Sequence, residues 1–150
     1  MAIKNYTSSV AVINSIGNIE HRLAKAGVTH IGKLYSKDKS GRPIGMLFQI
    51  EINGYPRTFR LPAKVDKIFE YLKLQRKRQP TTAQIETIKQ QACRTAWKIL
   101  SDWIDLQVSM IELEQAEAGE VFFPYLYDGN VDKTIFEIAK EDNFQKLLSA

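Results

Sequence analysis

The sequence has few of the residue types that build most catalytic and metal sites. It contains one cysteine, Cys93, and two histidines, His21 and His30. A single cysteine excludes an intrachain disulfide and a thiolate metal cluster, and we interpret Cys93 as a buried thiol that packs like a small hydrophobic side chain. Neither histidine has a second histidine or a carboxylate at ligand spacing. We therefore predict no metal, no cofactor and no catalytic residue, and we interpret the chain as non-enzymatic.

Nucleotide-binding glycine motifs and membrane-spanning segments are also missing. The eight glycines form neither a Walker loop nor a dinucleotide fingerprint. No apolar run reaches the roughly 18 residues needed to span a bilayer, and no basic-then-apolar leader follows Met1. We therefore predict a cytoplasmic protein with no membrane partner. A pocket built from Tyr, Trp and Arg side chains would leave no such motif, so a small enzyme stays an alternative.

Length and hydrophobic content favour a single α+β domain over residues 1–150. Hydrophobic residues make up 44% of the chain and charged residues 25%, as in ordinary globular domains. A chain of 150 residues can bury a core without disulfides. Charge is less evenly distributed, because residues 1–100 carry a net charge of +12 and residues 101–150 a net charge of −8. This asymmetry indicates an anionic partner, contact between subunits, or neutralisation within one fold.

The stretch from Thr81 to Ala116 has the pattern of one long amphipathic helix. Two rows of apolar residues follow it at spacings of three and four: Ile85, Ile88, Ala92, Ala96, Ile99, Trp103, Leu106 and Met110, and Cys93, Trp97, Leu100, Ile104, Val108 and Ile111. Only a narrow strip is clearly polar: Gln91, Arg94, Lys98, Ser101, Asp105, Ser109 and Glu112. A helix this apolar must be covered from two sides, so we predict that it forms the centre of the core.

The clearest β signal is a hairpin around Asn53-Gly54. Asn-Gly between alternating runs is typical of a type I′ turn, because both turn residues need positive φ. This turn predicts the pairs Ile52 with Tyr55, Ile50 with Arg57, Phe48 with Phe59, and Met46 with Leu61. Pro56 lacks an N–H group, so the return strand over 55–61 is predicted to be an edge. A further strand over 29–35 completes a three-stranded antiparallel meander.

Shorter helices are predicted around the hairpin and the long helix. One runs from Thr7-Ser8-Ser9 to Gly27, where Gly17 also allows part of the stretch to be extended. A second runs from Pro62 to about Lys77, and a third, capped by Asp132 or by the Thr134/Glu137 box, runs through Leu148. Residues 1–7 are predicted to be a frayed lead-in. Thr81 and Gln84 form a second capping box, at the start of the long helix. The predicted fold is therefore α+β, a three-stranded antiparallel meander packed on helices with one long central helix over about 81–116.

Basic residues are the best candidates for a binding site. They are Lys73, Arg76, Lys77 and Arg78 at the end of the 62–77 helix, and Arg57 and Arg60 on the edge strand. Tyr55 lies near the second group. Neutralised phosphates beside an aromatic stacking surface are typical of proteins that bind single-stranded nucleic acid. The plainer interpretation is that these cations keep a helix end solvated and complement its dipole.

Several segments resemble a group of small uncharacterised proteins from tailed bacteriophages and prophages. The matching segments are Thr58–Ala63, Gln91–Ile99, Asp102-Trp103 and Glu120–Tyr125. The resemblance implies a phage or prophage origin, and with it a role in viral DNA metabolism or in countering a host defence. It implies no catalytic or binding residue.

Together these observations predict a phage-type accessory protein that binds nucleic acid through a basic surface in the host cytoplasm. The alternative is a phage protein that binds and inhibits a host defence protein or its ligand, through the acidic C-terminal third or the aromatic segment Val121–Tyr127. Self-association into a homo-oligomer is also predicted, because the apolar long helix, the edge strand and the unlike charges would suit it.

Overall fold

The computed structural model describes residues 4–148 and has an α+β architecture. In chain order the elements are α1 (Val12–Lys25), β1 (Val28–Tyr35), β2 (Pro43–Ile52), β3 (Tyr55–Pro62), α2 (Asp66–Leu74), α3 (Thr82–Glu112), α4 (Ala118–Phe122), β4 (Tyr127–Asp128), β5 (Lys133–Thr134), α5 (Ile135–Glu141) and α6 (Gln145–Leu148). Strands β1, β2 and β3 form one antiparallel sheet, and β4 pairs with β5. The three-stranded sheet and the long helix confirm the predicted fold class.

The chain forms two compact units, each assembled from two separate segments. The helical unit comprises residues 1–23 and 63–108, and the sheet unit comprises residues 24–62 and 109–150. The helical unit holds most of α1, all of α2 and most of α3. The sheet unit holds β1 to β3 and the elements that follow α3. The prediction of one domain over residues 1–150 stays a prediction.

The hairpin has the register that its turn predicts. Asn53 and Gly54 have φ values of 52° and 83°, as a type I′ turn requires. The observed partners include Ile52 with Tyr55, Ile50 with Arg57, Phe48 with Phe59, and Met46 with Leu61. Strand β3 lies at the edge of the sheet, as Pro56 indicates. This edge is partly covered, because Leu126 forms an isolated antiparallel bridge with Phe59.

Gly54→Val is expected to lower the free energy of unfolding by about 1–3 kcal/mol, because a β-branched residue strongly resists positive φ. No atom lies within 4 Å of the Cβ position at Gly54, so the effect comes from the backbone alone. Gly32→Val is the matched control, since Gly32 lies in β1 with equally open space and no positive φ. Urea unfolding of both variants tests this. Equal stabilities would contradict the turn geometry.

Three phenylalanine rings pack against one another in the core of the sheet unit. The Phe48 and Phe59 rings stack with centroids 5.5 Å apart, and Phe122 from α4 meets the Phe48 ring edge-on at 5.1 Å. All three side chains are buried. The sheet therefore packs on the short helix α4. The sequence predicts an aromatic segment over Val121–Tyr127 but no helix there.

Two residues of the polar strip of α3, Ser101 and Asp105, bind α1. Asn18 Nδ2 of α1 donates hydrogen bonds to Ser101 Oγ at 2.6 Å and to Asp105 Oδ1 at 3.0 Å. Arg22 forms an ion pair with Asp105 at 3.3 Å. Ser101 is buried although it belongs to the strip predicted to be polar. These contacts fix α1 along the polar side of α3.

Residues 4–6 are attached to α3 by their own contacts, so the prediction of a frayed lead-in is wrong for this part of it. Asn5 donates to Asp102 Oδ2 at 2.9 Å, and its carbonyl accepts a hydrogen bond from the buried Thr95 hydroxyl at 2.9 Å. The first three residues lie outside the described part of the chain. The segment is thus attached to α3 by side chains that hydrophobic periodicity ignores.

Several helix boundaries differ from the predictions. Helix α1 begins at Val12 instead of Thr7-Ser8-Ser9, α3 ends at Glu112 instead of Ala116, and two further differences have local reasons. Helix α2 begins at Asp66 instead of Pro62, because Pro62 still pairs with Gly45 in the sheet. The last predicted helix is broken into α5 and α6, because Asn143 and Phe144 have positive φ values of 54° and 67°. Both capping boxes are present, at Thr81/Gln84 and at Thr134/Glu137.

Candidate nucleic-acid interface

The six basic residues singled out from the sequence fall into different compact units. Lys73, Arg76, Lys77 and Arg78 belong to the helical unit, and Arg57 and Arg60 belong to the sheet unit. Within each group the residues differ in how far carboxylates already neutralise their charges.

Arg60 binds two acidic side chains, Asp132 directly before β5 and Glu137 in the first turn of α5. Its Nη1 donates to Asp132 Oδ1 at 2.7 Å, and its Nη2 donates to Glu137 Oε1 at 2.9 Å. The guanidinium also lies over the Tyr127 ring, 4.7 Å from the centroid. The Tyr127 hydroxyl donates to the same Asp132 oxygen at 2.6 Å. Arg60 therefore joins β3 to the C-terminal elements and has little of its guanidinium left for a phosphate.

The charges of this cluster stabilise one another. Partial burial lowers the pKa of Arg60, but the hydrogen bonds and charges of Glu137 and Asp132 outweigh this and raise it. The pKa of Glu137 is lowered mainly by the hydrogen bond from the Thr134 backbone, with Arg60 adding to the shift. The Tyr127 hydroxyl and then Arg60 lower the pKa of Asp132. The ionised forms are favoured, as in a structural ion-pair network.

Arg57 is exposed and pairs with an aromatic ring. Its guanidinium lies over the Tyr55 ring, 5.4 Å from the centroid, and Nη1 donates to the Pro56 carbonyl at 3.3 Å. Within residues 4–148 it forms no ion pair with a carboxylate. Tyr55 is 63% exposed. This pair is open to a ligand at the turn end of the sheet.

The four basic residues near the end of α2 also differ in whether a carboxylate neutralises them. Lys73 forms an ion pair with Glu70 at 3.4 Å and lies over the Phe69 ring at 5.2 Å. Arg76, Lys77 and Arg78 follow in the exposed stretch after Leu74. In the described part of the chain none of these last three meets a carboxylate. We call residues 75–80 the basic turn.

An open pocket of about 310 Å³ lies beside the basic turn. It is lined by Tyr6, Leu72, Gln75, Arg76, Thr87, Ile88, Gln91 and Arg94. The lining contains two arginines and no carboxylate, and its apolar part comes from Leu72 and the buried Ile88. We call it the Arg76–Arg94 pocket. Its combination of positive charge and apolar surface is suited to an anion that carries a flat or apolar group.

Gln91 organises this pocket. Its Nε2 donates to the carbonyls of Tyr6 and Ser8, both at 3.0 Å, so the N-terminal segment is held against α3. Its Oε1 accepts hydrogen bonds from Arg94 Nε, at 3.1 Å, and from Arg94 Nη2. Only this orientation of the Gln91 amide places its N–H donors at the two carbonyls and its oxygen acceptor at the Arg94 guanidinium. Because the amide is neutral, the charge of Arg94 is oriented without being neutralised.

Sequence reasoning missed three contributors to the pocket. Arg94 and Gln91 were assigned to the polar strip of the long helix, and Tyr6 to the lead-in. Their spacing of three residues would have suggested that Arg94 and Gln91 contact each other. No local signal marks Tyr6, because its position depends on a hydrogen bond to a residue 85 positions away.

Comparison with protein-family models, with curated protein sequences and with solved structures finds no match for this chain. The resemblance to phage proteins stays a prediction. Over the described residues, no helix has the length and apolarity to cross a membrane.

Proposed function

We propose that the chain is a phage-type accessory protein of the host cytoplasm that binds nucleic acid, without catalysis, through the basic turn and the Arg76–Arg94 pocket. The observation that supports this is a group of four cations, Arg76, Lys77, Arg78 and Arg94, that have no carboxylate partner within residues 4–148. Such charges gain free energy from phosphates, because phosphate contacts release counterions from the nucleic acid.

Other cations of the same unit are already neutralised, which supports this assignment. Lys98 forms an ion pair with Asp102 at 2.9 Å, and Arg22 forms one with Asp105 at 3.3 Å. Arg22 holds α1 against α3, and Lys98 neutralises the Asp102 carboxylate that also accepts a hydrogen bond from Asn5. Arg94 donates hydrogen bonds only to the neutral Gln91 amide, and no ion pair involves Arg76, Lys77 or Arg78 within residues 4–148, so a ligand can bind these cations without breaking an ion pair of the fold.

The other predicted residues contribute to the proposal to different degrees. Arg57 offers a second and smaller contact, since it is exposed and paired only with Tyr55 and a backbone carbonyl. Lys73 shares its charge with Glu70. We leave Arg60 out of the proposed interface because Asp132 and Glu137 already bind it.

Replacing Arg76, Lys77 and Arg78 together with Gln is expected to weaken binding to every nucleic-acid sequence alike. The slope of log affinity against log salt should flatten by up to about 3 units on duplex DNA and about 2 on a single strand. A gel-shift series over salt concentration measures both quantities. Thermal stability should change little, because exposed charges near a helix end stabilise only weakly.

The matched control removes the same charge elsewhere, by changing the exposed residues Lys64, Lys67 and Lys140 to Gln. Its salt slope should stay close to that of the unmodified protein. A basic-turn variant with an unchanged slope would place nucleic-acid binding elsewhere on the chain. Failure of the unmodified protein to bind DNA or RNA at low salt would contradict the proposal itself.

A protein partner is the second candidate, and exposed aromatic side chains of the sheet unit favour it. Phe136 and Phe144 are 44% and 38% exposed, with ring centroids 5.9 Å apart, and Phe123 is 48% exposed. Phe122, in the aromatic segment suggested as an interface, is fully buried and serves the core. Pull-down by the purified host defence protein, lost in Phe136→Ser, would support this alternative.

A further inference from the structure

We infer that the Arg76–Arg94 pocket receives one unpaired nucleotide, with its phosphate on the two arginines and its base against Tyr6 and the apolar floor. The inference rests on the proposed function and deepens it by naming the form of nucleic acid. A protein built in this way prefers single strands to duplexes, because a paired base is stacked between its neighbours and cannot enter a pocket.

In the inferred arrangement the phosphate lies on Arg76 and Arg94, the two arginines of the lining. Guanidinium groups bind phosphate oxygens through pairs of parallel N–H donors. Arg94 uses Nε and Nη2 on Gln91, which leaves its remaining N–H groups for a ligand. Arg76 is exposed, so the anion can reach this end from solvent.

In the same arrangement the base lies against Tyr6, Leu72 and Ile88, which line the pocket. Every base has an apolar π-face that stacks on aromatic side chains, and this contact tolerates any sequence. Gln75 lines the same pocket, and its amide supplies a donor and an acceptor for a base edge. An inorganic phosphate would use the arginines but leave the apolar floor uncovered.

The pocket is held in shape before any ligand arrives. Gln91 fixes the Tyr6 backbone on one side and the Arg94 guanidinium on the other. The Thr81/Gln84 capping box fixes the start of α3 one turn before Thr87. A preformed site loses less entropy on binding, so a single nucleotide is sufficient to occupy it.

The first test compares strand forms by fluorescence anisotropy, using a labelled oligothymidine and a labelled duplex of the same length. The unmodified protein is expected to bind the single strand at least tenfold more tightly. Tyr6→Leu should weaken single-strand binding about tenfold, or 1.4 kcal/mol, and leave duplex binding unchanged. Lys67→Gln, on the first turn of α2, is the control and should retain the strand preference.

Equal affinity for the two strand forms, or a preference that survives in Tyr6→Leu, would overturn the inference. Binding to neither form would instead contradict the proposed function. Tyr6→Leu keeps the backbone carbonyl that Gln91 binds, so the segment is expected to stay in place; circular dichroism checks this.

The second test uses calorimetry and needs no oligonucleotide. Thymidine monophosphate should bind at least tenfold more tightly than either thymidine or inorganic phosphate, because only it fills both ends of the pocket. Arg94→Gln should remove this difference, and Lys67→Gln should keep it. Inorganic phosphate binding as tightly as the nucleotide would overturn the inference, and so would an unchanged profile in Arg94→Gln. This result stands independently of oligonucleotide binding.

Discussion

Trp97→Ala is expected to lower the free energy of unfolding by about 3–5 kcal/mol, because the indole of Trp97 is completely buried in the structure. Removing it deletes a large apolar surface and leaves a cavity that the surrounding helices fill only in part. A loss of this size is a large share of the 5–15 kcal/mol that is typical of folded domains. Urea unfolding followed by circular dichroism measures it.

The control for this prediction lies on the same helix. Leu106 is 61% exposed although it belongs to one of the two apolar rows, and Leu106→Ala should change stability by less than about 0.5 kcal/mol. Trp103 is only partly buried, so Trp103→Ala should have an intermediate effect. A Trp97→Ala variant as stable as the unmodified protein would show that α3 does not form the core.

Phe122→Ala is expected to cost about 3–5 kcal/mol in the sheet unit. The ring of Phe122 lies 5.1 Å from that of Phe48 and 6.0 Å from that of Phe59, and it is fully buried. Its loss would uncover the apolar face of the sheet and remove two aromatic contacts. Thermal unfolding monitored by the β signal of the circular dichroism spectrum measures the effect.

The neighbouring residue supplies a matched control for Phe122. Phe123 follows directly in the chain and is 48% exposed, so Phe123→Ala should have a much smaller effect on stability. If the two alanine variants unfold at the same temperature, the aromatic contacts do not hold the sheet on α4. A large loss of stability in Phe123→Ala but not in Phe122→Ala would show that Phe123, and not Phe122, is the core residue.

The parts of the fold that follow from neighbouring residues could be predicted from the sequence. The Asn53-Gly54 turn sets the register of β2 and β3, because its backbone geometry admits one pairing. The capping box of Thr134 and Glu137 likewise depends on groups three residues apart. In both cases the interacting atoms are adjacent along the chain, so local chemistry decides the structure.

The partners of the charged residues could not be predicted, because they are distant in sequence. Arg60 meets Asp132 and Glu137, which lie 72 and 77 positions further along the chain. An arginine on an edge strand looks the same in sequence whether a carboxylate or a phosphate binds it. The pocket shows the same limit, since Gln91 joins Tyr6 to Arg94 through hydrogen bonds that no periodicity predicts.

The attachment of α1 to the polar strip of α3 has a consequence for the order in which the chain folds during translation. The partners within the hairpin emerge from the ribosome almost together, whereas Asn18 must wait for Ser101, 83 positions later. At typical translation rates this delay is roughly 4–17 seconds. Throughout it the apolar side chains of Ile16, Ile19 and Leu23, which are buried in the finished protein, lack any cover that later residues supply. The apolar side of α1 therefore stays incompletely covered for some seconds while the hairpin is already able to form.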